Sequence, residues 1–335
     1  MFGLLRGRFL KEEMIMLILL KQMSILFIIM IIGFILRKIK MIGDEGSKTL
    51  SAIVVNVANP CLILSASINQ ESTVKGMDLL KTVGLAIGVF AFLIIISLFL
   101  PAMIRARKEN RSVYRVMTIF SNIGFMGFPV ISATYGSDAL LYASIFLIPY
   151  NILIYTYGIA ALNDGAGKDP EGTENVKKSK KDVLGKIFNV GVIACVLTIV
   201  IYLTGIRVPT VIEDTVKRLS ELTAPLSMIV IGASLGKIEL KSLFTDVRLL
   251  VFSIIKLIAI PLVGMFLVGF LKLDPKLAGV MLIMLATPVG SMTAMLAEQY
   301  GGNFDLASRG VALTTIFSVF TIPLTSWIIS FFPVF

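Results

Sequence analysis

No histidine occurs anywhere in the 335 residues, and cysteine is nearly missing, with Cys61 and Cys195 far apart in apolar surroundings. The first absence removes Ser–His–Asp triads, imidazole metal sites and the usual side-chain switch near neutral pH. The second leaves neither a disulfide framework nor a thiolate metal site. Charge is scarce too: 16% of residues are charged, against about 25% in an ordinary soluble domain. What fills the chain instead is apolar, 56% of residues with a mean hydropathy of +0.91. That composition excludes a cytosolic, secreted or disordered protein and points to a lipid bilayer as solvent.

Apolar runs lie near 15–37, 49–68, 79–101, 114–135, 138–162, 185–205, 212–236, 247–271, 276–299 and 306–332. A helix that crosses the hydrocarbon needs about 20 such residues, so an all-α integral membrane protein with ten transmembrane helices is expected. The segment 1–14, MFGLLRGRFLKEEM, is basic enough to imitate a signal peptide. The apolar run behind it is too long and lacks a small-residue cleavage pattern, so it reads as a retained tail. The widest polar interruption, 163–184, carries Gly, Pro and charges that cannot build a core and reads as an exposed loop. It separates a first repeat, 15–162, from a second, 185–335.

The net charge of +10 is distributed unevenly. Of 31 Lys and Arg, 19 fall in alternate connections, including the central loop, and 10 on the opposite side; Lys21 and Lys256 lie within runs. By the positive-inside rule the richer side is cytoplasmic and both termini lie outside. The basic balance therefore reads as membrane anchoring, with no nucleic-acid partner. Matching fragments recur at a nearly constant offset. Pro60 and Pro225 are 165 apart, Tyr135-Gly136 and Tyr300-Gly301 are 165 apart, and Val116-Met117 and Val280-Met281 are 164 apart. Five spans per half at a common offset indicate two five-helix repeats of opposite orientation.

Two runs carry helix-breaking residues at corresponding places. In SNIGFMGFPV (121–130), Gly124, Gly127 and Pro129 should interrupt the fourth span; in ATPVGSMTA (286–294), Thr287, Pro288 and Gly290 should interrupt the ninth. Backbone groups freed inside a bilayer need protein or a water-filled cavity around them. Paired breaks thus mark a mid-membrane binding site whose half-helix N-termini suit an anion. Asn122, Thr287, Ser291 and Thr293 would add hydrogen bonds. The competing reading is that each proline merely kinks a packed helix.

Other polar residues inside the runs leave two readings each. Lys256, in FSIIKLIAIPL, either pairs with a substrate carboxylate or an acidic residue, or snorkels to the interface. Asn59 and Asn151 either line a pathway or satisfy carbonyls freed by neighbouring prolines. Glu298 reads as interfacial, and Trp327 with the C-terminal FFPVF as an aromatic anchor. GASLGKIEL at 232–240 lacks the phosphate-loop spacing, which discards ATP hydrolysis. With no His, no paired intramembrane aspartates and no Asp-rich metal motif, an intramembrane enzyme is not expected.

LSAIVVNVANPCLILSA, SNIGFMGFPV, PYNILIYTYG and MLAEQYGGNFDLASRGVALTTIFSVFTIPL together resemble the auxin efflux carrier family of membrane transporters. The resemblance implies two inverted five-helix repeats with broken, crossing helices four and nine, as in the related bile acid/sodium symporters. It implies a scaffold of helices 1, 2, 6 and 7 against a transport domain of 3–5 and 8–10 that moves as an elevator. Asn122, Gly124, Pro129 and Pro288 would be the crossover residues, and a homodimer the assembly. Plant relatives export auxin, whereas bacterial relatives are associated with malate, malonate and similar carboxylates; the 22-residue central loop is unlike the long loop of many plant carriers. The expected function is secondary active transport of small organic anions across the cell membrane, carboxylates or auxin-like weak acids. A passive anion uniporter or channel, or a receptor, is the alternative on the same scaffold. No cofactor or metal is expected, and the coupling ion is open between H⁺ and Na⁺.

Overall fold

The structure, a computed structural model, describes residues 2–68, 76–165, 190–271 and 273–330. Most of the expected central loop, the first residues of the sixth run and the terminal FFPVF lie outside the described residues. The described chain is helical, with one isolated antiparallel bridge, Ser121 to Val289, as its only β pairing. Six helices are long and apolar enough to cross a membrane. They are α1, whose apolar part is Leu20–Lys38, α2 (Asp44–Leu64), α3 (Gly76–Met103, apolar from Leu80), α6 (Ser137–Asn163), α11 (Val247–Phe266) and α14 (Phe304–Ser330, apolar to Ile328).

The remaining runs are built from shorter pieces. The fourth gives α4 (Arg111–Ile119) and α5 (Ile123–Tyr135), the sixth α7 (Val190–Thr204), and the ninth α12 (Pro275–Ala286) and α13 (Ser291–Gln299). The seventh run differs from the single span expected at 212–236. It divides into α8 (Thr210–Ser220) and α9 (Thr223–Leu235), with α10 (Leu240–Leu243) following. The reason is chemical: TVIEDTVKRLS carries Glu213, Asp214, Lys217 and Arg218, which lipid would not accept, so only the 13 residues of α9 are apolar.

Three helices widen into a π turn two residues before a proline. Val54–Ala58 precedes Pro60, Ile123–Gly127 precedes Pro129, and Ile255–Ala259 precedes Pro261. Proline has no N–H to donate and its ring presses on the carbonyl one turn back, so an extra residue in the turn relieves the clash without ending the helix. The widened turn also re-aims the side chains it contains, and Gly124 and Lys256 both sit in one.

Close packing depends on glycine at one contact above all. A Cβ on Gly33 of α1 would strike the Ile229 backbone, and one on Gly232 of α9 would strike the backbone of Met30 and Phe34. The two helices therefore touch main chain to main chain, the small-residue contact that brings membrane helices together. The second half of α2 packs on α7 and α8, while α3 packs on α4 and α6, and α13 on α14. Facing outward are large apolar side chains such as Leu80, Ile87, Phe99 and Phe266, as expected of a surface that meets acyl chains.

Connections that the charge count places together do meet. Asp44 pairs with Arg37 at 3.0 Å and with Lys237 at 2.6 Å, and Asn303 donates to Asn110 at 3.0 Å. On the opposite side Lys276 pairs with Asp138. Tyr135-Gly136 ends α5 and Tyr300-Gly301 ends α13, each glycine in the left-handed region, φ 89° and 75°, where a Cβ would be strained.

Candidate functional site

Helix α4 stops at Ile119 because the next three residues leave helical geometry: Phe120 is extended and Asn122 has φ −81° and ψ 63°. The interruption thus falls at 120–122, upstream of the residues expected to cause it. Gly124 and Gly127 lie inside the π turn, and Pro129 is in the first turn of the α-helix that follows, where its missing N–H costs nothing. The second break matches expectation more closely. Thr287 is extended, as a residue before proline prefers, and Gly290 is extended before α13 begins.

The two breaks join each other. Asn122 N donates to the Pro288 carbonyl at 2.7 Å, and Gly290 N donates to the Phe120 carbonyl at 2.9 Å. Four backbone groups that the breaks would leave orphaned in a low-dielectric interior are satisfied mutually. A fifth, Val289 N, donates to Thr314 Oγ1 of α14 at 3.1 Å. Close approach explains Gly290, whose added Cβ would lie 3.0 Å from the Ser121 carbonyl oxygen.

Lys256 is fully buried. Its Nζ donates to the Thr118 carbonyl at 2.9 Å and to Ser121 Oγ at 2.7 Å. Snorkelling to an interface is overturned by this burial. No ion pair to an acidic residue is present among the described residues either. The ammonium instead faces the C-terminal end of α4, where unpaired carbonyls carry partial negative charge. Two of its three protons are engaged by Thr118 and Ser121.

Asn122 accepts from Phe125 N through Oδ1 at 3.3 Å, while its Nδ2 is buried with no partner among the described residues. Asn59, at the end of the π turn in α2, places Nδ2 3.0 Å from where a Gly124 Cβ would stand, and its Oδ1 is likewise buried and unpartnered. Asn59 therefore lies beside the turn that holds Gly124, and among the described residues its side chain makes no hydrogen bond to a carbonyl near Pro60. A buried amide without a partner costs about 1–3 kcal/mol, which makes these two groups natural contacts for a ligand. Thr287, fully buried, donates to the Met284 carbonyl at 2.9 Å, and its methyl faces Gly127. Thr293 donates to the Gly290 carbonyl at 2.7 Å and steadies the start of α13. Ser291, half-buried, is the first residue of α13. Asn151 is different: its amide donates to the Leu147 carbonyl one turn back in α6, a local helix contact.

The sequence reading missed Thr118, Ser121 and Thr314. Thr118 and Ser121 lie 138 and 135 positions from Lys256, and Thr314 lies 25 from Val289, so only the fold brings them in. The one available signal was SN at the head of SNIGFMGFPV.

Two interrupted helices, joined through their backbones inside a bundle of apolar spans around a buried cation, define a membrane protein with a polar site in its interior. Residues 18–326 match the family described as membrane transport protein, and the chain belongs to that family, the auxin efflux carriers. It is a transport protein and not an enzyme. Over 317 residues it is 23% identical to an uncharacterized transporter of Methanocaldococcus jannaschii, covering 91% of this chain and 97% of the relative. Over 302 residues it is 25% identical to an uncharacterized transporter of Methanothermobacter thermautotrophicus, covering 89% and 94%.

Proposed function

We propose that this protein is a secondary active transporter of small organic anions, carboxylates of the malate or malonate type, that binds its substrate at the crossing of the two broken helices. One observation carries the reading: the ammonium of Lys256, fully buried, faces the crossing with no carboxylate paired to it among the described residues. A buried charge is costly unless compensated, and an anionic substrate supplies the compensation. Asn122 Nδ2 would donate to the substrate, Asn59 would accept from its hydroxyl, and the N-terminus of α13, with Ser291 and Thr293, would face its second carboxylate. Gly124 and Gly127 keep the approach narrow.

Two inverted five-helix repeats account for the paired breaks and for the paired glycines Gly136 and Gly301. In an elevator mechanism, α1, α2 and α7–α9 would be the scaffold, consistent with the glycine contact of α1 and α9. The bonds between the breaks would make the remaining helices move as one body. In this reading the protein spans the cell membrane as a homodimer, with the central loop cytoplasmic and both termini outside. H⁺ or Na⁺ is the coupling ion.

The test is uptake of labelled malate and malonate into proteoliposomes under a pH gradient, a sodium gradient or membrane potential alone. Saturable uptake driven by one gradient supports the proposal and names the ion. Uptake that follows potential alone without saturation identifies a channel, and binding without uptake identifies a receptor.

A further inference from the structure

A cavity of about 650 Å³ lies away from the crossing, walled by the ends of α3, α4, α11 and α14. Four guanidinium groups line it, from Arg105, Arg107, Arg248 and Arg309, against two carboxylates, Glu109 and Asp246. The carboxylates do not neutralise the site. Asp246 is engaged as the cap of α11, accepting from Arg248 N at 3.0 Å and Leu249 N at 3.3 Å, and among the described residues Glu109 reaches only Arg107, at 3.8 Å. Arg105 and Arg248 have no ion pair among the described residues, and Arg309, paired with Asp305 at 2.9 Å, keeps a buried Nε without a partner.

Three helices begin at this cavity. Asn110, Asp246 and Asn303, the residues preceding α4, α11 and α14, all line it, and Asn303 donates to Asn110 across it. Their positive ends add to the field of the arginines. Arg105 sits in the left-handed region, φ 52°, at the end of α3, where Arg105 N bonds the Ala102 carbonyl and Ala106 N the Pro101 carbonyl. Glycine is the usual occupant of that position in such a helix ending.

We infer that this cavity is a second anion site, which takes a phosphate-bearing group on a small molecule or a lipid headgroup. The volume is in the range of small-ligand pockets, and forked guanidinium donors match phosphate oxygens. Tyr114 lines the cavity and its ring packs on Phe252, one turn before Lys256, with centroids 5.2 Å apart and planes inclined at 58°, so an aromatic pair lies between this site and Lys256. The inference does not depend on what the crossing transports.

The experiment titrates inorganic phosphate into the full chain in a maltoside detergent at constant ionic strength, with the unfolding midpoint as readout. A saturable rise is expected. An R105Q/R248Q variant, changed at two exposed positions, is expected to need about tenfold more phosphate for the same rise. A charge-matched R207Q/K217Q variant, altered outside the cavity, should respond as wild type. Midpoints without phosphate report whether each variant folds. Repeating the titration in nanodiscs distinguishes the source: loss of the response in phosphatidylglycerol but not in phosphatidylcholine identifies a lipid headgroup, and its retention in both identifies a soluble ligand. No saturable response, or an equal response in R105Q/R248Q, overturns the inference.

Discussion

Replacing Lys256 by Met keeps the length and most of the apolar stem while removing the charge and both hydrogen bonds. For folding, two effects oppose each other. The Thr118 carbonyl and the Ser121 hydroxyl lose their donor, at about 1–3 kcal/mol each; an ammonium no longer has to be buried, which recovers several kcal/mol. The unfolding midpoint should therefore remain close to that of wild type. Binding has no such offset, because a contact between a charged donor and a carboxylate is worth about 1.5–3 kcal/mol. Malate affinity should fall by about 10- to 150-fold, and affinity for a monocarboxylate by less. Equilibrium binding of labelled malate to the purified variant, with its thermal midpoint measured alongside, decides the matter. A folded K256M variant whose malate affinity lies within about threefold of wild type would refute the assignment of Lys256 to the substrate.

Replacing Pro129 and Pro288 together by Ala should damage transport more than folding, because each restores an N–H that favours continuous helix near a break; wild-type flux in liposomes would remove the crossing from the mechanism. Gly232→Ala places a methyl against the Met30 and Phe34 backbone, and overpacking of this kind should cost about 1–3 kcal/mol, read as a lowered thermal midpoint. Gly290→Ala puts its Cβ 3.0 Å from the Ser121 carbonyl oxygen; it should lower the transport rate at least about tenfold, equivalent to about 1.4 kcal/mol, and an unchanged rate would show that the joint tolerates being spread.

The helical class and the apolar spans were legible because lipid imposes long uninterrupted runs, and the paired breaks because Gly and Pro have few other uses in such runs. Their exact position was not legible. Pro129 is accommodated by a π turn and the first turn of a helix, so the chain opens upstream at Phe120 to Asn122, where the one local signal is Asn122, which caps the turn that follows. Lys256 was recognisable as anomalous, yet its partners are the Thr118 carbonyl, a group every residue carries, and the Ser121 hydroxyl 135 positions away, which only the fold brings to it. The arginine cavity was hidden for a related reason. Its residues come from three separate connections, and each alone looks like ordinary positive charge beside a membrane. The division of the seventh run could have been read from its five charges, Glu213, Asp214, Lys217, Arg218 and Glu221, had they been weighed against the length of the run.

The joint between the two broken helices consists of peptide groups, through the paired bonds of Phe120 with Gly290 and Asn122 with Pro288. Apart from the glycine that gives it room, it makes little demand on side-chain identity. Neighbouring positions are consequently free to vary without severing the joint. A scaffold of this design can change its cargo by altering what surrounds the joint while inheriting the joint intact.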